Sequence, residues 1–299
     1  MPGSVTRMDE PLCLLTVHAH PDDESSKGAP SVAKYHAEGV RTVLVCCTGG
    51  EAGDILNPAM DTPEIRSRLS EVRAEELATA AGIIGYDEVI LLGYKDSGMP
   101  GTPANADPAS FAQADLDEAI GRLVAIIRRE RPQVIVTYPD DQSGYPHPDH
   151  LRVHDISIPA FALAGDPDVF PEAGEPWAPS KLYYSGWSWR RMMAMHDKMV
   201  ELGIESPWAE RIEEMKGAEP PVDPTTTRVD ISGYADVRRT ALLAHATQVD
   251  PTSPFWFALP PEVASTIHPF DDYILADSRV ASTVPEDDLF AGVRDLARR

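Results

Sequence analysis

The sequence predicts an α/β protein, with a Rossmann-like, mostly parallel sheet flanked by helices and a smaller α+β portion toward the carboxyl terminus. Strand and helix patterns alternate four times by residue 150, which is typical of a parallel sheet covered on both faces. Each predicted strand also ends at a polar loop, and ligands of such sheets bind at the carboxyl ends of the strands. The two observations are independent and favour the same fold.

The predicted elements of the first half follow from apolar runs and helical spacing. The apolar run Leu12–Val17 is typical of a buried strand, and Gly39 ends the helix that follows it. The polar turn 48–53 follows the second strand and lacks the GxGxxG spacing, so a dinucleotide site is disfavoured. Strands are predicted at residues 12–17, 41–47, 88–92 and 133–137, and helices at residues 31–38, 63–81 and 115–129.

The second half is less regular. We predict there a long loop at 165–180, a methionine-bearing helix at 187–202, a Pro/Thr linker at 217–227 and a helix at 234–247. At the amino terminus, residues 1–10 are predicted to be a loose tail. We therefore expect a Rossmann-like catalytic domain over residues 10–165 and a smaller α+β portion over residues 166–299 that covers the active site.

Composition restricts the classes of function. A chain of 299 residues with 42% apolar and 25% charged residues has the composition of a globular protein. The net charge of −22 disfavours nucleic-acid binding, because affinity for phosphates depends on Lys and Arg. Three cysteines do not make a disulfide framework, and no apolar run is long enough for a signal peptide or a membrane span. We expect a cytoplasmic protein with a small-molecule substrate and neither nucleic acid nor membrane as partner; its oligomeric state stays open.

Two clusters of histidines and acids follow predicted strands. The motif HAHPDDE covers residues 18–24 after the first strand, and YPHPDH covers residues 145–150 after the fourth. Zinc takes imidazole nitrogens and carboxylate oxygens, and a catalytic site commonly keeps three protein ligands and a position for water. A metal-free explanation is weak for the two clusters together, because adjacent acids in a tight turn repel each other. Residue types alone decide neither between zinc and Fe(II) nor between Asp22 and Asp23 as ligand.

Several segments carry a resemblance to a known family. They are HAHPDDESSKGA (18–29), TGGEAGDILNPAMD (48–61), FPEAGEPW (170–177), SKLYY (180–184) and AHATQVDP (244–251). These segments resemble the LmbE-like, or N-acetylglucosaminyl-phosphatidylinositol de-N-acetylase, superfamily, and more narrowly its mycothiol S-conjugate amidases. They are spread over most of the chain, so the resemblance covers nearly its full length.

The resemblance implies roles for the two clusters. The implied metal ligands, for Zn²⁺ or alternatively Fe²⁺, are His20, Asp23 and His150, and the implied catalytic residues are Asp22 as general base, His147 as general acid or oxyanion stabiliser, Asp149 as the carboxylate that orients His147, and Tyr145 as an oxyanion donor. His18 is expected beside the ligands rather than among them. Residues 140–144 depart from the shorter, Asn/Gly-rich approach that is usual in the family, which leaves the reach of Tyr145 open.

The resemblance also implies substrate contacts. Lys27 matches a lysine of the amidases that the related deacetylases typically lack, although a surface lysine at a helix start is the alternative. Glu51, Arg73 and Asp96 match positions that hold a sugar–inositol group, and recognition of a polyol needs such charged hydrogen-bonding side chains. Arg73 lies in a helix of paired charges, so a solvated Arg73 is the alternative.

Three enzymatic functions and one non-enzymatic function are compatible with these observations. The first is metal-dependent hydrolysis of the amide of mycothiol S-conjugates, which releases glucosaminyl-inositol and an N-acetylcysteine S-conjugate in thiol detoxification. The others are deacetylation of N-acetylglucosaminyl-inositol, a related amidase of an antibiotic pathway, and a metal-holding binding protein. The last is disfavoured because Asp22, His147 and Asp149 are all present.

Overall fold

A seven-stranded mixed sheet runs through the part of the chain that the computed structural model describes, residues 11–140, 145–216 and 221–294. The strands are β1 (Cys13–His18), β2 (Arg41–Thr48), β3 (Glu88–Tyr94), β4 (Val134–Thr137), β5 (Lys181–Gly186), β6 (Thr227–Asp230) and β7 (Phe270–Ser278). Their order in the sheet is β3-β2-β1-β4-β5-β7-β6. The first five in that order are parallel, whereas β7 pairs antiparallel with both β5 and β6.

Helices cover both faces of this sheet. They are α1 (Asp23–Ser26), α2 (Ala29–Ala37), α3 (Pro63–Ser67), α4 (Leu69–Ile84), α5 (Leu116–Glu130), α6 (Pro148–Leu163), α7 (Trp189–Glu201), α8 (Ala209–Glu214), α9 (Ala235–Ala244), α10 (Pro254–Phe257) and α11 (Pro261–Ile267). Among the described helices, none is long and apolar enough to cross a bilayer. The α/β fold with a mostly parallel sheet is thus confirmed.

The core lies on both sides of the sheet because β1 is buried on both faces. Leu15 and Val17 point to one face, where they pack in a cluster with residues of α5 and α6. Leu14 points to the other face, with residues of α2, α4 and α9. This explains why β1 is a continuous apolar run rather than an alternating one.

The structure corrects one predicted helix and leaves other predictions untested. The single helix predicted at residues 63–81 is wrong: it is divided at Arg68, whose φ of −125° interrupts α3 and α4. Charged residues continue on both sides of Arg68, so the sequence pattern does not reveal the break. The predicted tail at 1–10, part of the predicted linker (217–220) and most of the loop before Tyr145 (141–144) lie outside the described residues.

The strands after residue 165 extend the same sheet. The division into residues 10–165 and 166–299 stays a prediction. The feature that positions the site is the neighbouring pair β1 and β4 at the centre of the sheet. From this pair the strand order continues outward in opposite directions, and ligands of open α/β sheets bind at such a switch point.

Candidate active site

Side chains of both His/Asp clusters meet beyond the carboxyl ends of β1 and β4. The chain leaves β1 at His18 and turns sharply at Asp22, whose φ of 107° is in the left-handed region. One helical turn, α1, then begins at Asp23. On the other side, α6 begins after His147, which caps it by accepting a hydrogen bond from the N–H of Asp149. The turn and the capped helix aim the two clusters at one another.

The predicted metal ligands His20, Asp23 and His150 form one buried group. Asp23 Oδ2 lies 3.5 Å from His20 Nδ1 and 3.4 Å from His150 Nε2. Ligand atoms about 2.1 Å from a shared tetrahedral zinc ion lie roughly 3.4 Å from one another. Two imidazole nitrogens and one carboxylate oxygen at these separations fit a divalent metal, and these three residues could hold one.

The other nitrogen of His20 faces two carboxylates. His20 Nε2 lies 3.2 Å from Asp149 Oδ2 and 3.6 Å from Asp96 Oδ1. Burial opposes the charge on His20, but Asp149, Asp23 and Asp96 outweigh it and raise the pKa of His20 well above its usual value. A histidine that ligates a metal through one nitrogen commonly donates the other N–H to a carboxylate. Asp149 is itself fixed, because its Oδ2 accepts the N–H of Ser97 at 2.9 Å and its Oδ1 accepts the Ser97 hydroxyl.

His147 is held as a neutral imidazole. Its Nδ1 accepts the N–H of Asp149 at 3.2 Å, so the ring carries its proton on Nε2. Burial, followed by the charge of His20, lowers the pKa of His147 to about 4. From the family resemblance, the Asp149 carboxylate is expected to orient His147. In the structure that carboxylate contacts His20 and Ser97, and the backbone of Asp149 bonds His147.

The adjacent aspartates differ in their surroundings. Burial, together with the charge of Asp23, raises the pKa of Asp22 to about 6, against the opposing effect of Arg73. Burial also acts on Asp23, but Lys27 and His150 outweigh it and hold the pKa of Asp23 well below its usual value. A pair of acids with separated pKa values can divide two roles, one as a fixed anion and one as a proton acceptor.

The remaining predicted residues border this group. Tyr145 is 54% exposed, and its ring stacks on that of His147 at 5.7 Å between centroids. Lys27 Nζ contacts Asp23 Oδ1 and lies 5.4 Å above the ring of Tyr138. Glu51 Oε1 accepts the N–H of Asp96 at 3.2 Å. The structure therefore places all these side chains around one centre.

Arg73 is buried, so the alternative of a solvated Arg73 is wrong. Its guanidinium donates to the carbonyl of Pro21 at 2.8 Å and to the carbonyl of Gly50, and lies 3.5 Å from Asp22 Oδ2. It thereby joins the loops that follow β1 and β2. A buried charge that bonds backbone carbonyls on both loops fixes their relative position.

Two buried contacts around the site were not predicted. Glu24 Oε1 lies 2.7 Å from His245 Nε2, and Glu24 Oε2 accepts the N–H of Asp22 at 2.9 Å. The first contact fastens the end of α9 to the loop after β1. On the other side, His18 Nδ1 lies 2.9 Å from the hydroxyl of Tyr138. The segment AHATQVDP, which contains His245, was found by its resemblance alone, without a role for that histidine.

The fold and the site place the chain in a class of α/β proteins that have an open, mostly parallel sheet and, at its switch point, a buried His/Asp group that could hold a metal. Residues 15–161 match the family model PIG-L, GlcNAc-PI de-N-acetylase. A "Mycothiol S-conjugate amidase" of Streptomyces coelicolor is 44% identical over 97% of this chain and 100% of its own length. The chain belongs to the GlcNAc-PI de-N-acetylase, or LmbE-like, family, and is an enzyme of this deacetylase/amidase group.

Two further comparisons define the range of relatives. A "1D-myo-inositol 2-acetamido-2-deoxy-alpha-D-glucopyranoside deacetylase" of Streptomyces scabiei is 38% identical over 99% of this chain and 96% of its own. The solved structure of the N,N'-diacetylchitobiose deacetylase of Pyrococcus horikoshii matches with a TM-score of 0.59 and 17% identity, over 88% of this chain and 83% of that chain. The likeness to the Pyrococcus horikoshii structure shows the fold alone.

Proposed function

We propose that the protein is a metal-dependent amidase that cleaves mycothiol S-conjugates into glucosaminyl-inositol and an N-acetylcysteine S-conjugate, as part of thiol detoxification. The observation that carries this proposal is the similarity to the Streptomyces coelicolor amidase along the whole of both chains. The buried His20, Asp23 and His150 group supports it, because amide hydrolysis near neutral pH commonly uses a metal site with two histidines and one carboxylate.

The three ligands would hold zinc, or Fe(II), which would act as a Lewis acid toward water and the scissile carbonyl. Asp22 is the proposed general base. Its carboxyl lies beside the ligand group, keeps 31% of its side chain exposed and has a pKa near the operating pH, which suits proton transfer from water.

His147 and Tyr145 are the proposed donors to the tetrahedral intermediate. His147 presents its Nε2–H, because Nδ1 is occupied by the backbone of Asp149. Tyr145 stacks on His147 and is open to substrate. Replacing His147 with alanine should leave metal content unchanged and lower kcat by about 10²–10³, the typical cost of one oxyanion donor.

Substrate recognition is assigned to Lys27, Glu51 and Asp96, and Arg73 supports it by holding the loops after β1 and β2 in place. Glu51 and Asp96 lie together beside the ligand group and offer acceptors for sugar and inositol hydroxyls. Lys27 stands on the Tyr138 side, where the acyl part of a conjugate would lie. Asp149 is assigned the positioning of the site through His20 and His147.

Deacetylation of N-acetylglucosaminyl-inositol is the second candidate, favoured by the similarity to the Streptomyces scabiei deacetylase. The deciding experiment compares kcat/KM for a mycothiol conjugate with kcat/KM for the acetylated glucosaminyl-inositol. We expect faster cleavage of the conjugate, with large apolar S-substituents accepted. Faster deacetylation would overturn the amidase proposal.

Lys27→Ala tests the basis of that preference. We expect it to lower conjugate turnover about tenfold more than deacetylation, the scale of one charge-assisted hydrogen bond. Lys34→Ala is a matched control, because the Lys34 side chain is 28% exposed against 31% for Lys27 and also pairs with an acid four residues away. Equal losses on both substrates would leave Lys27 without a role in specificity.

A further inference from the structure

A cavity of about 210 Å³ opens beside the candidate active site, on the Lys27 side. Lys27 and Tyr138 line this cavity, and the same two side chains border the ligand group. Lys27 contacts Asp23, and the ring of Tyr138 lies 4.8 Å from the ring of His150. The cavity therefore lies next to a substrate held at the ligand group, with Lys27 and Tyr138 shared between the two.

Aromatic side chains form the outer wall of this cavity. Trp187, Phe255 and Trp256 line it, and the rings of Trp187 and Phe255 stack with 18° between their planes. Trp187 is 40% exposed and Phe255 is 39% exposed. Large aromatic surfaces left open at the mouth of a cavity are suited to contact with an apolar or aromatic ligand group.

Both carboxylates that line the cavity already face cations. Asp271 Oδ1 accepts a hydrogen bond from Arg238 Nη2. Asp272 Oδ2 lies 2.9 Å from His268 Nε2, and its Oδ1 lies 3.4 Å from Arg228 Nε. Arg228 is also bonded to Asp223, at 2.8 Å. Both cavity carboxylates therefore act on Arg191 by charge, but the shortest contact given for its guanidinium, with Asp271, is 4.0 Å, which is longer than a hydrogen bond.

The guanidinium of Arg191 also lines this cavity. The residue is buried, and its guanidinium lies 4.3 Å from the ring of Trp187. Among the described residues, the carboxylate paired with it is Asp271, whose Oδ1 is 4.0 Å from Nη1 and already bonded to Arg238. Burial, followed by the charge of Arg238, lowers the pKa of Arg191 to about 9. A buried guanidinium at this distance from its counter-charge gains from an anionic ligand.

We propose that this cavity binds the S-substituent of the substrate and selects substituents with an aromatic body that ends in an anion, which Arg191 binds. The inference rests on the proposed amidase function. The aromatic wall contacts the body of the substituent, and the guanidinium offers two parallel N–H groups to a terminal carboxylate. The net charge of −22 would by itself repel such a ligand, so a preference for it must arise locally.

The test compares two products of the proposed reaction that have nearly the same shape. N-acetyl-S-(4-carboxybenzyl)cysteine carries the additional anion, and N-acetyl-S-(4-methylbenzyl)cysteine does not. Binding to the metal-loaded protein is followed by tryptophan fluorescence, because Trp187 and Trp256 line the cavity, and by calorimetry. We expect the carboxybenzyl ligand to bind about tenfold more tightly. Equal affinities, or tighter binding of the methylbenzyl ligand, would overturn the proposal.

Arg191→Gln should abolish the preference, whereas Arg190→Gln should preserve it, because the neighbouring Arg190 side chain is 65% exposed. A preference that survives Arg191→Gln would overturn the proposal. Should Arg191→Gln fail to fold, Phe255→Leu replaces it: this change at the exposed wall should weaken both ligands and keep their ratio. Unchanged affinities in Phe255→Leu would place the ligands elsewhere and equally refute the subsite.

Hydrolysis of the two parent conjugates, measured in parallel, separates the two proposals. No hydrolysis with the anion preference intact would refute the amidase and support the subsite. Hydrolysis of both conjugates without any preference in binding would support the amidase and refute the subsite.

Discussion

Replacing His245 with alanine is expected to destabilise the folded protein by about 3 kcal/mol. His245 Nε2 and Glu24 Oε1 are 2.7 Å apart, and the two side chains are 0% and 1% exposed. Removing one partner of a buried ion pair costs about 3–5 kcal/mol, because the remaining charge stays desolvated. We expect the lower end of this range, since Glu24 keeps hydrogen bonds from the N–H of Asp22 and the hydroxyl of Ser25.

The destabilisation should depend on pH. Burial disfavours the charged form of both groups. The charge of Glu24 outweighs burial at His245 and raises the pKa of His245, and the charge of His245 outweighs burial at Glu24 and lowers the pKa of Glu24. The contribution of His245 is complete below its ordinary pKa of 6.5 and is lost as the pH rises through the raised value. That of Glu24 is complete above 4.5 and is lost as the pH falls through the lowered value. The destabilisation by His245→Ala should therefore be largest between pH 4.5 and pH 6.5, the ordinary pKa values of the two groups.

Urea unfolding of chelator-treated protein at about pH 5.5 and about pH 8 measures this effect without a contribution from bound metal. His36→Ala is the control, because the His36 side chain is 45% exposed and its pairing with Asp87 should contribute less than about 1 kcal/mol. A loss below about 1 kcal/mol for His245→Ala, or equal losses at both pH values, would refute the ion-pair reasoning.

Three further predictions concern the metal site and the thiols. His20→Ala and His150→Ala should each abolish metal binding and activity together, and near-stoichiometric metal in elemental analysis of both variants would contradict the ligand assignment. Asp22→Asn should keep its metal and lose most turnover, whereas Asp23→Asn should lose metal affinity; the reverse pattern would exchange the two roles. Burial raises the pKa of Cys13 to about 12, so its thiol should resist alkylation in the native protein near pH 8 and react after unfolding, as mass spectrometry of the labelled peptide would show.

The elements that the sequence predicted are those whose signals are local. The strands β1 and β4 are recognisable in the sequence as apolar runs, because each is buried along its whole length. The two His/Asp clusters follow these strands directly, so parallel pairing alone brings them to one edge of the sheet. Placing the site therefore required one long-range expectation, that β1 and β4 belong to the same parallel sheet.

The parts that escaped prediction depend on distant contacts or on conflicting local signals. Helix α6 contains Pro159, which argues against a helix there, and tertiary packing of its buried face overrides that signal. The contact between Glu24 and His245 joins residues 221 positions apart, and no periodicity encodes it. Arg73 belongs to a charged helical pattern that is equally compatible with burial and with solvation, so only the folded chain distinguishes them.

The conformation of the loop after β1 depends on residues outside HPDDE, so this motif cannot be moved to another protein by itself. The left-handed turn at Asp22 is held by the carboxylate of Glu24, which contacts His245 at the end of α9. It is also held by the guanidinium of Arg73 in α4, which bonds the carbonyl of Pro21. Grafting the HPDDE sequence onto another parallel sheet would transfer the candidate metal donors without Arg73 and His245, the two side chains that hold their loop in its conformation. A designer who wants the chemistry must also transplant Arg73 and His245, and with them a packing relation between two helices and the sheet.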